Sequence, residues 1–591
     1  MTAFLLFGLI VGIIGSLPFD VGLPGWIKKW IYLTVAQVLF WTVLSYFMMI
    51  HIVGPLGGWP LCLLVLCAWV INASICLQRD CHDSPGYYME YPKAKRSGIA
   101  TLIGAFVFII LLIVPDCAAL RHDEYYAFTA DQVETTGDWT DSFSAVDPGH
   151  IRNVPRVSAE WKGNKILGQS TNSLGSKYHI GKYTVQKCVD RLVHVAPLEF
   201  SGFWRWRKSK TSPAYITISA EDTADLGKLT EGWHIAYMES AFFGHNLRRH
   251  IYTHGYQFRG VTDITFEIDD EGRPWYTATL YTPTVFWNGE RVDGILLINP
   301  ETGEMTEKTM DEIPAWVDRV IPRDVAIDRL TWWGKYIHGW WNTTWLQDST
   351  DVTRPTSYDN PRDGSSNSSA QIVWDAQGNA TWFTGFTSIQ DSDNSLVGIA
   401  LMDSRTGSVR YYRSSGADEA GILQAVNAAF VNYPGYRGTE PIPYNIYGER
   451  TWVVPVVSED GITQMITLVR GSNSQIAKGA DIHSALVDYR GKLQDSGTKV
   501  EPSPTGDLQT ANGTIDRLSP LVAGGETVFY LTLRENTDTI FSSTVSVSPE
   551  LTIARPGEEV TIEFEETHDP IVLMKHFNLL SFEAREPAKK E

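Results

Sequence analysis

The polar part of this chain has almost no cysteine. Of six cysteines in 591 residues, five lie in or beside the apolar N-terminal fifth, and only Cys188 falls in the polar remainder. A disulfide within that remainder is therefore impossible, and its domains must be stable through core packing alone. At this length the chain is expected to hold several domains.

Positive charge is also in short supply. The chain has 49 Lys and Arg against 68 Asp and Glu, which gives a net charge of −19. Because a nucleic-acid-binding protein needs a basic face to neutralise phosphates, this balance argues against nucleic acid as a main partner. The hydrophobic share of 43% is ordinary for a folded protein, and the 21 Trp fit β-rich modules.

Recognisable catalytic motifs are missing as well. The sequence has no nucleophile elbow, phosphate-binding glycine loop, paired-cysteine zinc site or dinucleotide fingerprint. An enzyme whose residues are scattered along the chain is compatible with this absence. No cofactor is predicted.

What the sequence does have is a set of four apolar runs near its N-terminus: Phe4 to Leu17, Trp30 to Val53, Leu61 to Leu77 and Ile99 to Leu120. A helix needs about 20 apolar residues to cross a bilayer, so the second and fourth runs are clear spans. The first is marginal: it fits an uncleaved span, a re-entrant piece or a signal sequence. The lack of basic residues before it favours a span. We predict a four-helix transmembrane anchor.

The basic residues of this region predict its orientation. Lys28 and Lys29 precede the second run, further basic residues separate the third from the fourth, and the loop between the second and third has none. Basic loops face the cytoplasm, so the region after Leu120 is expected outside it, on a multi-pass protein of the plasma or inner membrane. The middle of each run lacks the charged residues of an ion pathway, which favours an anchor over a transporter.

An internal repeat follows in the polar remainder. Ile264 to Val320 and Ile372 to Val426 both predict antiparallel strands joined at glycine turns and followed by a short helix. A repeat of this period indicates an array of small modules, each too small to bury a core alone.

The turns NPETG at Asn299–Gly303 and DSRTG at Asp403–Gly407 carry a family resemblance. In each, the Asn or Asp side chain is expected to cap the turn while Gly takes a positive φ. With the strands around them, they resemble the PepSY family of extracytoplasmic modules. That resemblance implies non-catalytic modules that regulate a peptidase or assist envelope assembly. The layout also resembles uncharacterised multi-pass envelope proteins of bacteria and their phages.

Together these patterns predict an α+β fold class. An N-terminal α-helical transmembrane bundle is followed by a tandem array of small antiparallel-sheet-plus-helix, PepSY-like modules and a C-terminal small β-barrel of OB-like pattern. The predicted boundaries are the anchor at 1–120, modules at 157–260, 261–347, 370–440 and 441–495, and the barrel at 519–585. Linkers are predicted at 121–156, 348–369 and 496–518.

The stretch Phe203–Lys210, FWRWRKSK, is the most distinctive candidate for a binding surface. On a strand, Trp204 and Trp206 would share one face while Arg205 and Arg207 share the other. Such a surface suits anionic lipid headgroups or an anionic wall polymer. A hairpin with a tryptophan core face and a solvated basic face explains the same pattern.

Two further pairs of residues are candidates. Trp287 and Asn288 belong to a loop that the two repeat copies do not share, and they are predicted to bind a ligand or partner. His250 and His254 are one helical turn apart and suit zinc. The HExxH arrangement is absent, since Ile251 follows His250, and this favours a polar connector over a metal site.

The sequence thus predicts a membrane-anchored, extracytoplasmic binding or scaffolding protein of the cell envelope, without catalytic activity. The expected partners are the lipid bilayer and either an envelope protein or further copies of the chain, which dock on exposed edge strands. Two alternatives stay open. One is a metal-dependent envelope hydrolase that uses His250 and His254, and the other is an accessory subunit of a transport or secretion complex.

Overall fold

The computed structural model describes residues 2–16, 26–49, 65–71, 92–114, 117–136, 145–170, 174–346, 351–359, 366–368, 370–375, 378–389, 395–498, 500–501, 507–523 and 526–583, with positions 53, 62, 73 and 143.

Among the described residues, the apolar N-terminal region contains α1 (Thr2–Gly15), α2 (Trp26–Met48) and α3 (Pro92–Ile113). Residues 65–71, between α2 and α3, are also helical. α1 and α2 pack at close range, because a Cβ on Gly12 would lie 2.7 Å from the backbone nitrogen of Val38. Hydrogen bonds support the contact: Gln37 Nε2 donates to the Gly15 carbonyl at 3.2 Å, and Thr34 Oγ1 donates to Ser16 Oγ at 3.0 Å.

Within the described chain a single helix is long and apolar enough to cross a membrane, the part of α2 from Trp30 to Met48. The apolar parts of α1 and α3, Phe4–Gly15 and Ile99–Ile110, are shorter. At about 1.5 Å per residue they fall well below the roughly 30 Å of a bilayer core. About half of the predicted third span, 61–77, lies outside the described residues. The predicted four-helix transmembrane bundle is therefore wrong, and the described residues do not support more than one crossing of the membrane. α2 itself is compatible with a membrane anchor or a signal sequence.

The remainder of the described chain is mostly β, in several separate sheets, so the predicted α+β class is also wrong. The short helix expected at the end of the first repeat copy, near residues 313–317, illustrates the reason. Pro314 lies within this stretch and Pro322 follows it, and a proline disfavours helical backbone in the residue before it, so a stable helix does not form. Only a 3-10 turn forms beside it, at Met310–Glu312.

Sheets 1 and 2 share one core. Sheet 1 follows helix α5 (Arg156–Gln169), and α6 (Phe203–Ser209) and α7 (Leu247–Thr253) flank it. Its strands are β2 (Tyr178–Ile180), β3 (Thr184–Cys188), β4 (Arg191–Phe200), β5 (Ser212–Ser219) and β6 (Lys228–Ile235). Sheet 2 is an antiparallel meander of β7 (Gly260–Ile268), β8 (Pro274–Val285), β9 (Asn288–Ile298) and β10 (Met305–Thr309). Leu198 and Ile216 of sheet 1 are buried in the same cluster as Phe266 and Leu296 of sheet 2.

Sheet 3 includes one strand from each of two segments that were predicted as linkers, 121–156 and 348–369. Its strands are β1 (Val133–Thr136), β11 (Thr353–Pro355), β14 (Gln371–Trp374), β15 (Ala380–Ser388), β16 (Ser395–Asp403) and β17 (Val409–Ala417), and β1 pairs with β17 in parallel. Beside it lie β12 (Ser357–Asp359) paired with β13 (Ser366–Ser368), and the helices α4 (Ala118–Ala130), α8 (Arg323–Lys335) and α9 (Gly339–Trp341).

Sheet 4 packs on sheet 3 through a second shared core. It consists of β18 (Arg437–Gly438), β19 (Ile442–Ile446), β20 (Glu449–Val457), β21 (Thr463–Arg470) and β22 (Ile476–Gly479), with helices α10 (Glu419–Ala429) and α11 (Ile482–Asp495). Phe383 of sheet 3 and Trp452 of sheet 4 are both fully buried, with ring centroids 5.7 Å apart.

A closed barrel follows, in the order β23-β24-β25-β27-β26. Its strands are β23 (Leu508–Ala523), β24 (Glu526–Leu533), β25 (Asn536–Thr544), β26 (Glu559–Glu565) and β27 (Ile571–Leu579), and the short helix α12 (Leu580–Glu583) comes last. It corresponds to the small barrel expected at 519–585 but starts earlier, within the predicted linker. The early start follows from the length of β23, which pairs with both β26 and β24.

The turn chemistry expected of the repeat is confirmed in both copies. Asn299 Oδ1 accepts from the backbone of Glu301 and Thr302 at 2.9 and 3.2 Å. Asp403 Oδ1 accepts from the equivalent amides, two and three residues further on, at 2.9 and 2.7 Å. Gly303 and Gly407 follow with φ of 74° and 80°, in the region that favours glycine.

Candidate functional site

A cavity of about 1040 Å³ lies where the four sheets meet. Its wall combines Val185 of sheet 1, Asp263 of sheet 2, Gln371 of sheet 3 and Arg437 of sheet 4. Ligand sites commonly form at such junctions, and this volume is at the upper end of their usual range. We call this space the junction cavity.

Charges of both signs line the junction cavity. Its basic groups are Arg152, Arg156, Lys182, Arg319, Arg323 and Arg437, and its acidic groups are Glu160, Asp263, Asp324, Glu440 and Glu459. Five arginines in one cavity stand out in a chain with a net charge of −19. A wall of this kind suits a ligand that carries both cationic and anionic groups.

One ion pair joins sheet 4 to the segment before α5. Arg152 Nη2 lies 2.6 Å from Glu440 Oε2, and the Arg152 side chain is almost fully buried. Glu440 Oε1 also accepts from the backbone nitrogen of Arg156 at 3.0 Å. A buried pair with further hydrogen bonds holds its partners in a fixed geometry, so this wall of the cavity is well defined.

A second ion pair joins sheet 2 to the segment that precedes α8. Arg319 Nη2 lies 2.6 Å from Asp263 Oδ2, and Lys182 Nζ lies 3.7 Å from the other oxygen of the same carboxylate. The Arg319 guanidinium is 5.5 Å from the ring of Trp382, within the range of a cation–π contact. Asp263 therefore ties two cations from different parts of the chain to one edge of the cavity.

Tyr183 and His194 are the buried titratable groups of the sheet 1 wall. Burial raises the pKa of Tyr183, whose hydroxyl has no hydrogen-bond partner among the described residues. His194 is fully buried and its Nε2 donates to the Val154 carbonyl at 2.9 Å. Burial, with the nearby Arg152 as the next cause, lowers the pKa of His194 to about 3, so the ring is neutral. The Tyr183 hydroxyl has no exposed surface and lies against Gly163 of α5, so it does not face the space of the cavity.

The stretch predicted to carry the basic and aromatic surface is a helix. The strand prediction for Phe203–Lys210 is wrong, because Gly202 with φ 114° ends the extended backbone and α6 follows. Trp204 and Trp206 therefore do not share a face: Trp204 is 75% exposed, whereas Trp206 is 3% exposed. Arg205 and Arg207 remain at the surface, and Arg205 donates to the Ser201 carbonyl.

The second predicted patch lies where the turn after β8 leads into β9, of which Asn288 is the first residue. Trp287 and Asn288 are both half-buried, and Asn288 Nδ2 donates to the Tyr125 hydroxyl of α4 at 3.3 Å. This contact is internal. It joins sheet 2 to the helix that follows the apolar N-terminal region.

The predicted histidine pair is engaged in backbone contacts. His250 Nε2 donates to the Gly303 carbonyl at 2.7 Å, and His254 Nδ1 donates to the His250 carbonyl at the same distance. Burial lowers the pKa of His250. No group of three or more His, Cys, Asp or Glu able to hold a metal occurs in the part of the chain that the structure describes. The pair thus fits the connector interpretation, as a link between α7 and the turn at Gly303.

The predicted residues do not line the junction cavity, and the cavity residues were missed. Arg152, Arg319 and Arg437 are each separated by more than a hundred positions and belong to different units. No local motif relates them. Only knowledge of how the sheets pack could have brought them together.

Comparisons with known proteins identify no family. No protein-family model and no curated protein matches the chain. Among solved structures, Trypanosoma rangeli sialidase matches with a TM-score of 0.16 and 10% identity over 68% of this chain and 54% of that one. Another sialidase matches with a TM-score of 0.15 and 8% identity over 74% and 47%. The chain spans about half the length of these structures, and similarities this low carry no argument about fold or activity.

Proposed function

We propose that this chain is a membrane-anchored, extracytoplasmic binding protein of the cell envelope without catalytic activity, and that its ligand is a segment of polypeptide held in the junction cavity. The observation that carries the proposal is the cavity wall, which presents six basic and five acidic side chains around one space. A polypeptide offers charges of both signs together with backbone donors and acceptors, which matches such a wall better than a purely anionic ligand does.

The placement outside the cytoplasm rests on the two ends of α2. Lys28 and Lys29 lie in its first turn, and basic residues favour the cytoplasmic side. At the opposite end, Arg249 Nη2 donates to the Tyr46 carbonyl at 3.1 Å, so the β region meets α2 at the end away from the lysines. Under this rule the β region lies outside.

The ligand class also draws on the resemblance of the turns at Asn299–Gly303 and Asp403–Gly407 to PepSY modules. That family is associated with the regulation of peptidases and with envelope assembly, and both involve binding to another polypeptide. In both turns the first side chain accepts a hydrogen bond from the amide two residues further on, which supports the view that the two segments are copies of one module.

Photocrosslinking in the native membrane tests the proposal. A photoreactive phenylalanine analogue replaces Gln371, which lines the cavity, or Val431, which is exposed outside it. We expect one discrete polypeptide adduct from position 371 and none from 431. Adding Arg437→Glu should abolish the adduct, because it reverses a charge on the wall. Equal adducts from both positions, or an adduct that Arg437→Glu leaves unchanged, would exclude the cavity as the binding site.

A further inference from the structure

The surface of α6 carries exposed aromatic rings beside basic side chains. Trp204 is 75% exposed, and Phe243 in the 3-10 turn Phe243–His245 is 54% exposed. Arg205, Arg207 and Lys208 are exposed around them. We call these five residues the α6 patch. Large exposed rings rimmed by charge indicate an interaction surface.

The α6 patch is held rigidly from beneath. The ring of Trp206 is buried against Phe242 and Phe243, with centroids 5.6 and 5.8 Å apart, and Phe203 contacts Phe242 at 5.1 Å. Lys210 Nζ lies 3.8 Å from the Trp206 ring centroid. A packed layer of this kind presents Trp204 at a fixed position, which lowers the entropy cost of docking.

A series of ring contacts leads from the α6 patch towards α2. Trp206 contacts His245 at 6.2 Å between centroids, His245 contacts Tyr237 at 5.2 Å, and Tyr237 contacts His250 of α7 at 4.4 Å. The patch and α7 therefore belong to one packed surface.

α7 rests directly on the end of the apolar helices. The Arg249 guanidinium lies 4.3 Å from the ring of Tyr46, in the last turn of α2. The ring of Tyr252 stacks on that of Phe4, at the start of α1, with centroids 5.1 Å apart. The packed surface that carries the α6 patch is thus continuous with the point where α2 ends.

We propose that the α6 patch docks on the anionic headgroups of the bilayer that α2 crosses, and so holds the β region against the membrane. Tryptophan is favoured at the headgroup level of a bilayer, and lysine and arginine are attracted to anionic lipid. Three adjacent basic residues in a chain of net charge −19 complement a negative membrane surface. The inference rests on the part of the proposed function that makes α2 a membrane anchor.

Amide hydrogen exchange of the full chain in lipid nanodiscs tests this docking. The discs contain phosphatidylcholine alone or phosphatidylcholine mixed with phosphatidylglycerol. We expect exchange in residues 203–209 to be slower by at least about threefold in the mixed discs, because docking covers the amides of α6. Residues 431–436, on a different unit, should exchange equally in both.

Charge variants separate lipid docking from other effects. Replacing Arg205, Arg207 and Lys208 together by Gln should remove the difference between the two discs. The control replaces three exposed basic residues of the barrel by Gln: Arg517, Arg534 and Lys575. This triple substitution should leave the difference in exchange between the two discs unchanged. A chain that enters the discs but shows equal exchange in both lipids overturns the docking proposal while the anchor stands. A chain that does not enter the discs overturns both.

Discussion

Arg490 shows how single buried charges connect the units of this protein. It projects from α11, and its side chain is 5% exposed. Its Nη1 donates to the Ile571 carbonyl of the barrel at 3.0 Å, its Nη2 donates to Ser542 Oγ at 3.3 Å, and Asp569 lies 4.0 Å away. Tyr447 in turn donates to Asp569 at 3.0 Å. The barrel is thus attached to sheet 4 by a buried polar network.

Arg490→Met should lower the free energy of unfolding by about 3–5 kcal/mol, because it leaves the buried Asp569 carboxylate without its cation. Chemical denaturation of the detergent-solubilised chain measures the change. Arg517→Met serves as the control: that side chain is 85% exposed, and its loss should change the stability by no more than about 0.5 kcal/mol. Equal effects of the two substitutions would mean that the network does not support the barrel.

His194 makes the stability of the cavity wall dependent on pH. Its pKa is lowered to about 3 in the folded chain, against about 6.5 when unfolded. Between these two pKa values the unfolded state binds more protons than the folded state. The neutral His194 ring therefore contributes fully to the free energy of unfolding above about pH 6.5, and this contribution is lost as the pH falls towards 3. The full loss amounts to about 4–5 kcal/mol.

His194→Gln isolates this contribution, since an amide does not titrate. We expect the stability difference between the variant and the natural chain to shift in favour of the variant as the pH falls from 7 to 4. Denaturation curves at several pH values give the difference directly. A difference that is independent of pH would show that His194 does not titrate on unfolding.

At the scale of single elements, prediction succeeded where one pattern had one explanation. The antiparallel strands expected in the repeat copies at 264–320 and 372–426 are present as β7 to β10 and β14 to β17. α6 failed because the alternation in FWRWR fits a strand, whereas the deciding feature is Gly202 with its positive φ, which the pattern does not encode. Strands and helices with a regular pattern were thus predictable, whereas an element whose type is decided by a neighbouring turn was not.

The pairing of α1 with α2 depends on glycine. A Cβ on Gly12 would lie 2.7 Å from Val38, and one on Gly8 would lie 2.8 Å from the Val38 carbonyl oxygen. Small residues of this kind let helix backbones approach closely in a membrane. α1 is therefore held to α2 by shape and by hydrogen bonds, and it need not span the bilayer by itself.

Gly12→Leu should separate α1 from α2. The readout is a disulfide between cysteines placed at Ser16 and Thr34, whose hydroxyls are 3.0 Å apart. We expect this cross-link to form in the double-cysteine variant that keeps Gly12, and to be lost when Leu replaces Gly12. Gly104→Leu is the matched control, because its Cβ would meet no atom within 4 Å, and it should leave the cross-link unchanged. A cross-link that survives Gly12→Leu would contradict the close packing.

At the scale of the whole molecule, the sequence predicted modules but not how they combine. The repeated turns at Gly303 and Gly407 were visible as patterns, because turn chemistry is local. The two shared cores were not, since Leu198 with Phe266 and Phe383 with Trp452 come from different predicted modules. The junction cavity was missed for the same reason. It exists only because sheets 1 to 4 pack around a common point.

The orientation of the β region is the claim on which the binding proposal and the membrane docking both depend. It is tested by placing a cysteine at Val431, which is 76% exposed and far in sequence from α2. Intact protoplasts that express the variant are treated with a membrane-impermeant maleimide, with the natural chain as the background. We predict that position 431 is labelled in intact protoplasts as fully as after lysis. Labelling that appears only after lysis would place the β region in the cytoplasm and contradict the account.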